Sequence, residues 1–197
     1  MPHTPRMYWP RLCGSIYMLG VATRTMKTAL FSLFLSAFLT IANAAEHVIY
    51  IQNEQVSIRC PASWVIIAHK PSGSPSDVVA FQILNPADDG SDDSTNLSVV
   101  AFDVRQTEAM LKFTQSLLEH EKQKHTAKEV GEWAVHTWND KQGSTSYEIR
   151  DCYRTDKPFG IHVRLAIPKM PKTTKEWTDK LNADFKKLLE SITVKES

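Results

Sequence analysis

Three runs of strand-like sequence follow one another between Glu129 and Ile167, joined by segments too short to hold anything but a turn. They are Glu129–Trp138, Thr145–Tyr153 and Phe159–Ile167. In the last, Phe159, Ile161, Val163, Leu165 and Ile167 alternate with Gly160, His162, Arg164 and Ala166. A period of two puts the first set on one face of a strand and the second set on the other. The connections Asn139–Gly143 and Thr155–Pro158 only turn the chain back on itself, because a parallel neighbour needs a crossover of about a dozen residues or more. This stretch is therefore committed to an antiparallel meander.

The rest of the pattern wraps around that meander. His47–Gln52 and Gln55–Cys60 read as two short strands about an Asn53-Glu54 turn, and Trp64–Ala68 resumes an apolar run after Pro61. Pro71-Ser72-Gly73-Ser74-Pro75 is a loop by its turn chemistry. Val78–Leu84 and Leu97–Val104 are apolar on both faces, as strands in the middle of a layered domain are. Thr107–Lys124 has helical spacing, with Met110, Phe113, Leu117 and Glu121 on one stripe. A second helix opens at Thr173, which forms a capping box with Glu176. Its apolar stripe is Trp177, Leu181, Phe185, Leu188, Leu189 and Ile192. Strands, helix, strands, helix predict an α+β domain: an antiparallel sheet with two packing helices, an α/β/α sandwich.

Before this domain lies an export signal. Met26 and Lys27 start it, Ala29–Ile41 is its apolar run, and Ala42-Asn43-Ala44 supplies the small residues that a signal peptidase reads. An uncleaved anchor is the rival reading. The uncharged segment 28–45 only just reaches the roughly 20 residues a bilayer requires, and it ends on small and polar residues. Cleavage is expected after Ala44. Residues 1–25 then form a non-structural extension, with translation starting at Met26, and 45–197 is a single exported domain with no membrane anchor. The full chain holds 23 basic and 22 acidic residues; Arg6, Arg11, Arg24 and Lys27 precede Ala45 and no acidic residue does, which leaves 19 against 22, a formal charge of −3. A mildly acidic domain has no strong electrostatic attraction to nucleic acid.

Few residues point to chemistry. Cys60 and Cys152 are the two cysteines beyond the signal. An oxidising compartment favours a disulfide between them; two separate buried thiols are the other reading, since sequence does not fix their separation. His120-Glu121-x-x-x-His125 suggests zinc, but histidines five apart lie about 140° around a straight helix and do not converge on one ion. A solvated helix end is expected there. Asp88-Asp89-Gly90-Ser91-Asp92-Asp93 lacks the closing glutamate of a calcium loop and reads as an exposed acidic turn. Trp133, Trp138, Tyr147 and Tyr153 read as core or edge-covering residues of the meander. No nucleophile elbow, phosphate loop or dinucleotide fingerprint occurs. No catalytic, cofactor-binding or metal-binding residue is assigned.

The run Gln55-Val56-Ser57-Ile58-Arg59-Cys60 leading into Pro61-Ala62-Ser63-Trp64 resembles the opening of the PsbP-like and DcrB-like exported proteins. The later order of strands and helices, ending Leu188-Leu189-Glu190-Ser191-Ile192, is similar as well. The resemblance implies an α/β/α sandwich and an accessory or binding role, with no shared catalytic residues to carry over. The expectation is a non-enzymatic exported protein, periplasmic or secreted, that binds a protein or envelope component through a sheet edge or an aromatic patch. A hydrolase or metal-dependent enzyme is the alternative.

Overall fold

The computed structural model describes residues 45–70, 75–87 and 94–195. The expected export signal, the expected extension before it and the expected acidic turn at Asp88–Asp93 lie outside these. Ten strands and two helices follow in the order β1 (Glu46–Ile51), β2 (Val56–Pro61), β3 (Val65–His69), β4 (Ser76–Ile83), β5 (Thr95–Asp103), α1 (Thr107–Lys122), β6 (Ala127–Val130), β7 (Trp133–Gln142), β8 (Thr145–Asp156), β9 (Phe159–Pro168), α2 (Lys175–Ser191) and β10 (Thr193–Val194).

Seven strands form one antiparallel sheet in the order β3-β4-β5-β9-β8-β7-β6. Helix α1 carries the chain from β5 to the far edge, and the meander then walks back until β9 pairs with β5, Val99 opposite Val163. The sequence reads Glu129–Trp138 as one strand. In the structure Gly131, at φ +60°, breaks it into the β6–β7 hairpin, with Val130 opposite Trp133. A second sheet, β1-β2-β10, was not anticipated. Its last strand is two residues long and closes on Val56 and Ser57.

The two faces of the large sheet differ. One carries Val79, Phe81, Leu97, Val99, Ile161, Val163 and Leu165, packed with Ile49, Ile51, Val56 and Ile58 of the small sheet and Leu181, Phe185, Leu188 and Leu189 of α2. The other face meets α1 through a smaller group, Phe102, Ala109, Phe113 and Tyr153. The expected α/β/α layering is present, with the small sheet sharing the α2 layer. Phe113 lies so close over β9 that a Cβ on Gly160 would stand 2.9 Å from its ring. Glycine is what lets α1 descend onto the sheet here.

Both helices depart in detail from the sequence reading. The buried side of α1 is Ala109, Phe113 and His120, while Met110 faces solvent. At the start of α2 the cap is Thr174, whose hydroxyl accepts from the Trp177 N–H at 3.3 Å. Thr173, read as the cap, instead accepts a hydrogen bond from Asn85 Nδ2 at 2.9 Å.

Between β1 and β2, Gln52, Asn53 and Glu54 all adopt positive φ (53°, 53° and 64°). Non-glycine residues resist this region by roughly 1–2 kcal/mol each. The turn is held from the large sheet: Asp77 Oδ2 accepts the Gln52 N–H at 2.7 Å, and Gln52 Nε2 donates to the Ala101 carbonyl at 2.7 Å.

Candidate functional site: a histidine cluster under the first helix

The α1 face of the meander carries the polar half of the alternation. Register places His136 of β7, Asp151 of β8 and Arg164 of β9 in one row across three strands. One step along, Tyr153 lies opposite His162, and the two rings stack at 4.4 Å, 4° apart. Helix α1 lays His120 over this row, where it stacks on His136 at 4.3 Å and 13°.

Asp151 is the anchor and is fully buried. Its Oδ1 accepts from His162 Nε2 at 2.8 Å and Arg164 Nε at 2.7 Å. Its Oδ2 accepts from Trp138 Nε1 at 3.0 Å and Arg164 Nη2 at 3.1 Å, with His120 Nε2 at 3.4 Å. Burial by itself pushes a carboxylate pKa up; the hydrogen bonds and charge of His162 and Arg164 outweigh it and hold Asp151 well below the usual carboxylate range. Desolvation takes His120 down to about 4, and the neighbouring His136 and His125 add to the shift while Asp151 opposes it. Burial, then Asp151, raise the Tyr153 phenol to about 12.

His120 and His125 meet here, contrary to the sequence expectation. Their Nδ1 atoms are 3.1 Å apart. The straight-helix assumption fails because α1 stops at Lys122 and the chain reverses at Lys124, φ +58°. The Lys124 N–H bonds the Glu121 carbonyl at 3.0 Å and the His125 N–H bonds the His120 carbonyl at 2.9 Å. These are the two bonds of a Schellman motif, in which a five-residue spacing is the one that touches. His120 is only 4% exposed, so the expected solvated helix end is a buried one. His125 lies flat on Trp138, centroids 4.9 Å and planes 22° apart, and its carbonyl faces His136 Nδ1 at 3.3 Å. Beside the cluster a cavity of about 280 Å³ is lined by Ser116, Glu119, His120, Gln123, Trp138, Tyr153 and Arg164.

The other candidates of the sequence fall elsewhere. Cys60 and Cys152 are buried and unbonded here, one on β2 in the small sheet and one on β8 in the large sheet. Burial, with Glu46, raises the Cys60 pKa to about 11; burial, with Asp151, raises that of Cys152 to about 12. Trp133, Tyr147 and Tyr153 are buried and Trp138 is half-buried, so they form no exposed aromatic patch. Exposed apolar side chains occur instead on β1, α1, β6 and β3, and on β3 all five residues are exposed. Val65, Ile66 and Ile67 are 46%, 44% and 55% accessible.

Sequence reasoning missed the cluster itself. Its signal was the inside of the alternation, where His162 and Arg164 on β9 face Asp151 and Tyr153 on β8 and His136 and Trp138 on β7. Polar residues at every second position of three adjacent strands belong to one face.

Among the described residues, no helix is long and apolar enough to cross a membrane. No family model matches the chain. No curated protein matches it. Solved structures that are similar include one from Bacteroides thetaiotaomicron VPI-5482, at TM-score 0.44 and 11% identity over 76% of this chain and 48% of the other. This chain thus spans about half the length of that structure. LpqN of Mycobacterium tuberculosis, involved in cell envelope biogenesis, is similar at TM-score 0.38 and 13% identity over 77% of this chain and 91% of the other.

Proposed function

We propose that this chain is an exported, non-enzymatic binding protein of the cell envelope, and that β3 is the strand through which it takes hold of a protein partner. The supporting observation is the character of that edge. β3 pairs only with β4, leaving its other side without a neighbour among the described residues. Val-Ile-Ile-Ala-His contains no lysine, glutamate or proline to discourage another strand. The opposite edge, β6, carries Lys128 and Glu129. A bulge at Ile67 is the one feature that blunts β3. An extended segment of a partner adds to such an edge by main-chain hydrogen bonds, with apolar side chains setting the preference.

Asp151 and the two cysteines, groups of the kinds enzymes use as bases and nucleophiles, are already engaged or held protonated. Both oxygens of Asp151 are taken up by protein donors, and the two thiols stay protonated at neutral pH. The alternative, a hydrolase or metal-dependent enzyme, draws on the cavity beside His120.

Ile66→Lys and Ile67→Lys place a charge on exposed positions of the strand and should leave the melting temperature unchanged. Cross-linking in envelope extract is expected to capture a discrete partner with the parent protein and to lose it with both variants. Equal capture by the variants, or no discrete partner at all, would overturn strand addition at β3.

A further inference from the structure

The facing nitrogens of His120 and His125 have a use that a hydrogen bond does not exhaust. Proton positions follow from the network. Tyr153 Oη lies 3.3 Å from the Ser116 carbonyl oxygen, which only accepts, so the phenolic hydrogen points there. His120 Nε2, 3.1 Å from the same Oη and 3.4 Å from Asp151, therefore carries the ring hydrogen. In the neutral ring Nδ1 is left with its lone pair, and that lone pair is turned toward His125 Nδ1.

From this geometry we propose that the protein binds one copper(II) or zinc(II) ion between Nδ1 of His120 and Nδ1 of His125, where the metal-free protein holds a single shared hydrogen. With metal–nitrogen bonds of about 2.0–2.1 Å, a 3.1 Å separation subtends about 95–100° at the ion. That is an ordinary angle between adjacent ligands in tetrahedral or tetragonal coordination.

Both rings are pre-oriented. His120 is stacked on His136, and His125 lies on Trp138 and is tied at its backbone to the end of α1. Behind His120, Tyr153 Oη receives the Nε2 hydrogen, with Asp151 Oδ2 3.4 Å away. A hydrogen bond at the far ring nitrogen fixes the tautomer and the orientation of a metal-bound imidazole. The charge of Asp151 is itself matched by Arg164.

Among the described residues no third histidine, cysteine or carboxylate completes the set. The remaining positions fall to water or to an added ligand in the adjoining cavity, where Glu119 and Gln123 contribute oxygen-bearing walls. Two imidazoles favour copper(II) and zinc(II) and offer little to magnesium or calcium. The site is an exchangeable one and not a folding staple, because the core on the other face of the sheet closes without it. The expectation that no ion sits here rested on a straight helix, and that premise falls with the chain reversal at Lys124.

Trp138 supplies the readout. Its stacking on His125 puts it within quenching distance of a bound copper(II) ion. Titration of the purified protein with copper(II) chloride should quench tryptophan fluorescence saturably at one equivalent, and excess EDTA should reverse the quench. His125→Ala, checked for an unchanged circular dichroism spectrum, should weaken binding by about tenfold or more, as loss of a ligand does. His125→Gln serves in its place if the alanine variant misfolds. Quenching that never saturates, that excess EDTA does not reverse, or that survives loss of His125 would overturn the proposal.

Discussion

Protonating His120 means placing a charge against His136 and His125 and away from water. Its pKa of about 4 lies below the ordinary 6.5, so between these values the folded protein binds fewer protons than the unfolded chain does. Stability from this residue is complete above pH 6.5 and is lost progressively as the pH falls toward 4. Asp151 acts in the same sense at lower pH, since a carboxyl held below its unfolded pKa loses its contribution as acid protonates it. Melting temperature measured in excess chelator should therefore decline steadily from pH 6.5 to 4. His120→Asn should flatten that decline while lowering stability at neutral pH, and a profile as steep as the parent's would show that the slope comes from elsewhere. None of this was legible from residues 120–125 alone. The spacing of five was read with the angle of a continuous helix, and nothing in Glu121-Lys122-Gln123-Lys124 announces a left-handed residue where glycine is the usual choice.

Among the elements, α1 shows how narrowly a helix can be seated. Gly160 on β9 leaves room for the Phe113 ring and for nothing larger. Gly160→Val should cost about 1–3 kcal/mol through overpacking, read as a shift in the denaturation midpoint. Phe113→Ala made together with it should cost less than the sum of the two, because the cavity left by one accepts the side chain added by the other. Additive losses would place the strain elsewhere. The existence of α1 was plain in the sequence, but its phase was not. Met110 outranks Ala109 in hydrophobicity, yet it is Ala109 that is fully buried against the sheet. α2 was easier to read because its stripe is broad and it packs on a wholly apolar layer. The β6–β7 turn was missed for a different reason. A Cβ at Gly131 would meet nothing within 4 Å, so the glycine serves backbone conformation alone and is hidden inside a run of strand-forming residues.

At the scale of the whole molecule, the sandwich and its order were readable from period and turn length. The division into two sheets was not, because the Thr193–Val194 strand is two residues long and its pairing with Val56 and Ser57 spans the length of the domain. Export carries its own prediction. N-terminal sequencing of the protein recovered outside the cytoplasm should begin at Ala45, within about one residue; a product beginning at Met1 or Met26 would remove the export reading.

The place of β9 sets when the molecule can be finished. It sits in the middle of the large sheet, between β5 and β8, yet it is the last of the seven strands to be made. Until residue 168 has emerged, the three strands from the first half and the three from the second share no strand between them, and each half presents a raw inner edge. The same order makes a product truncated before Phe159 two unfinished half-sheets, each a template for the wrong neighbour.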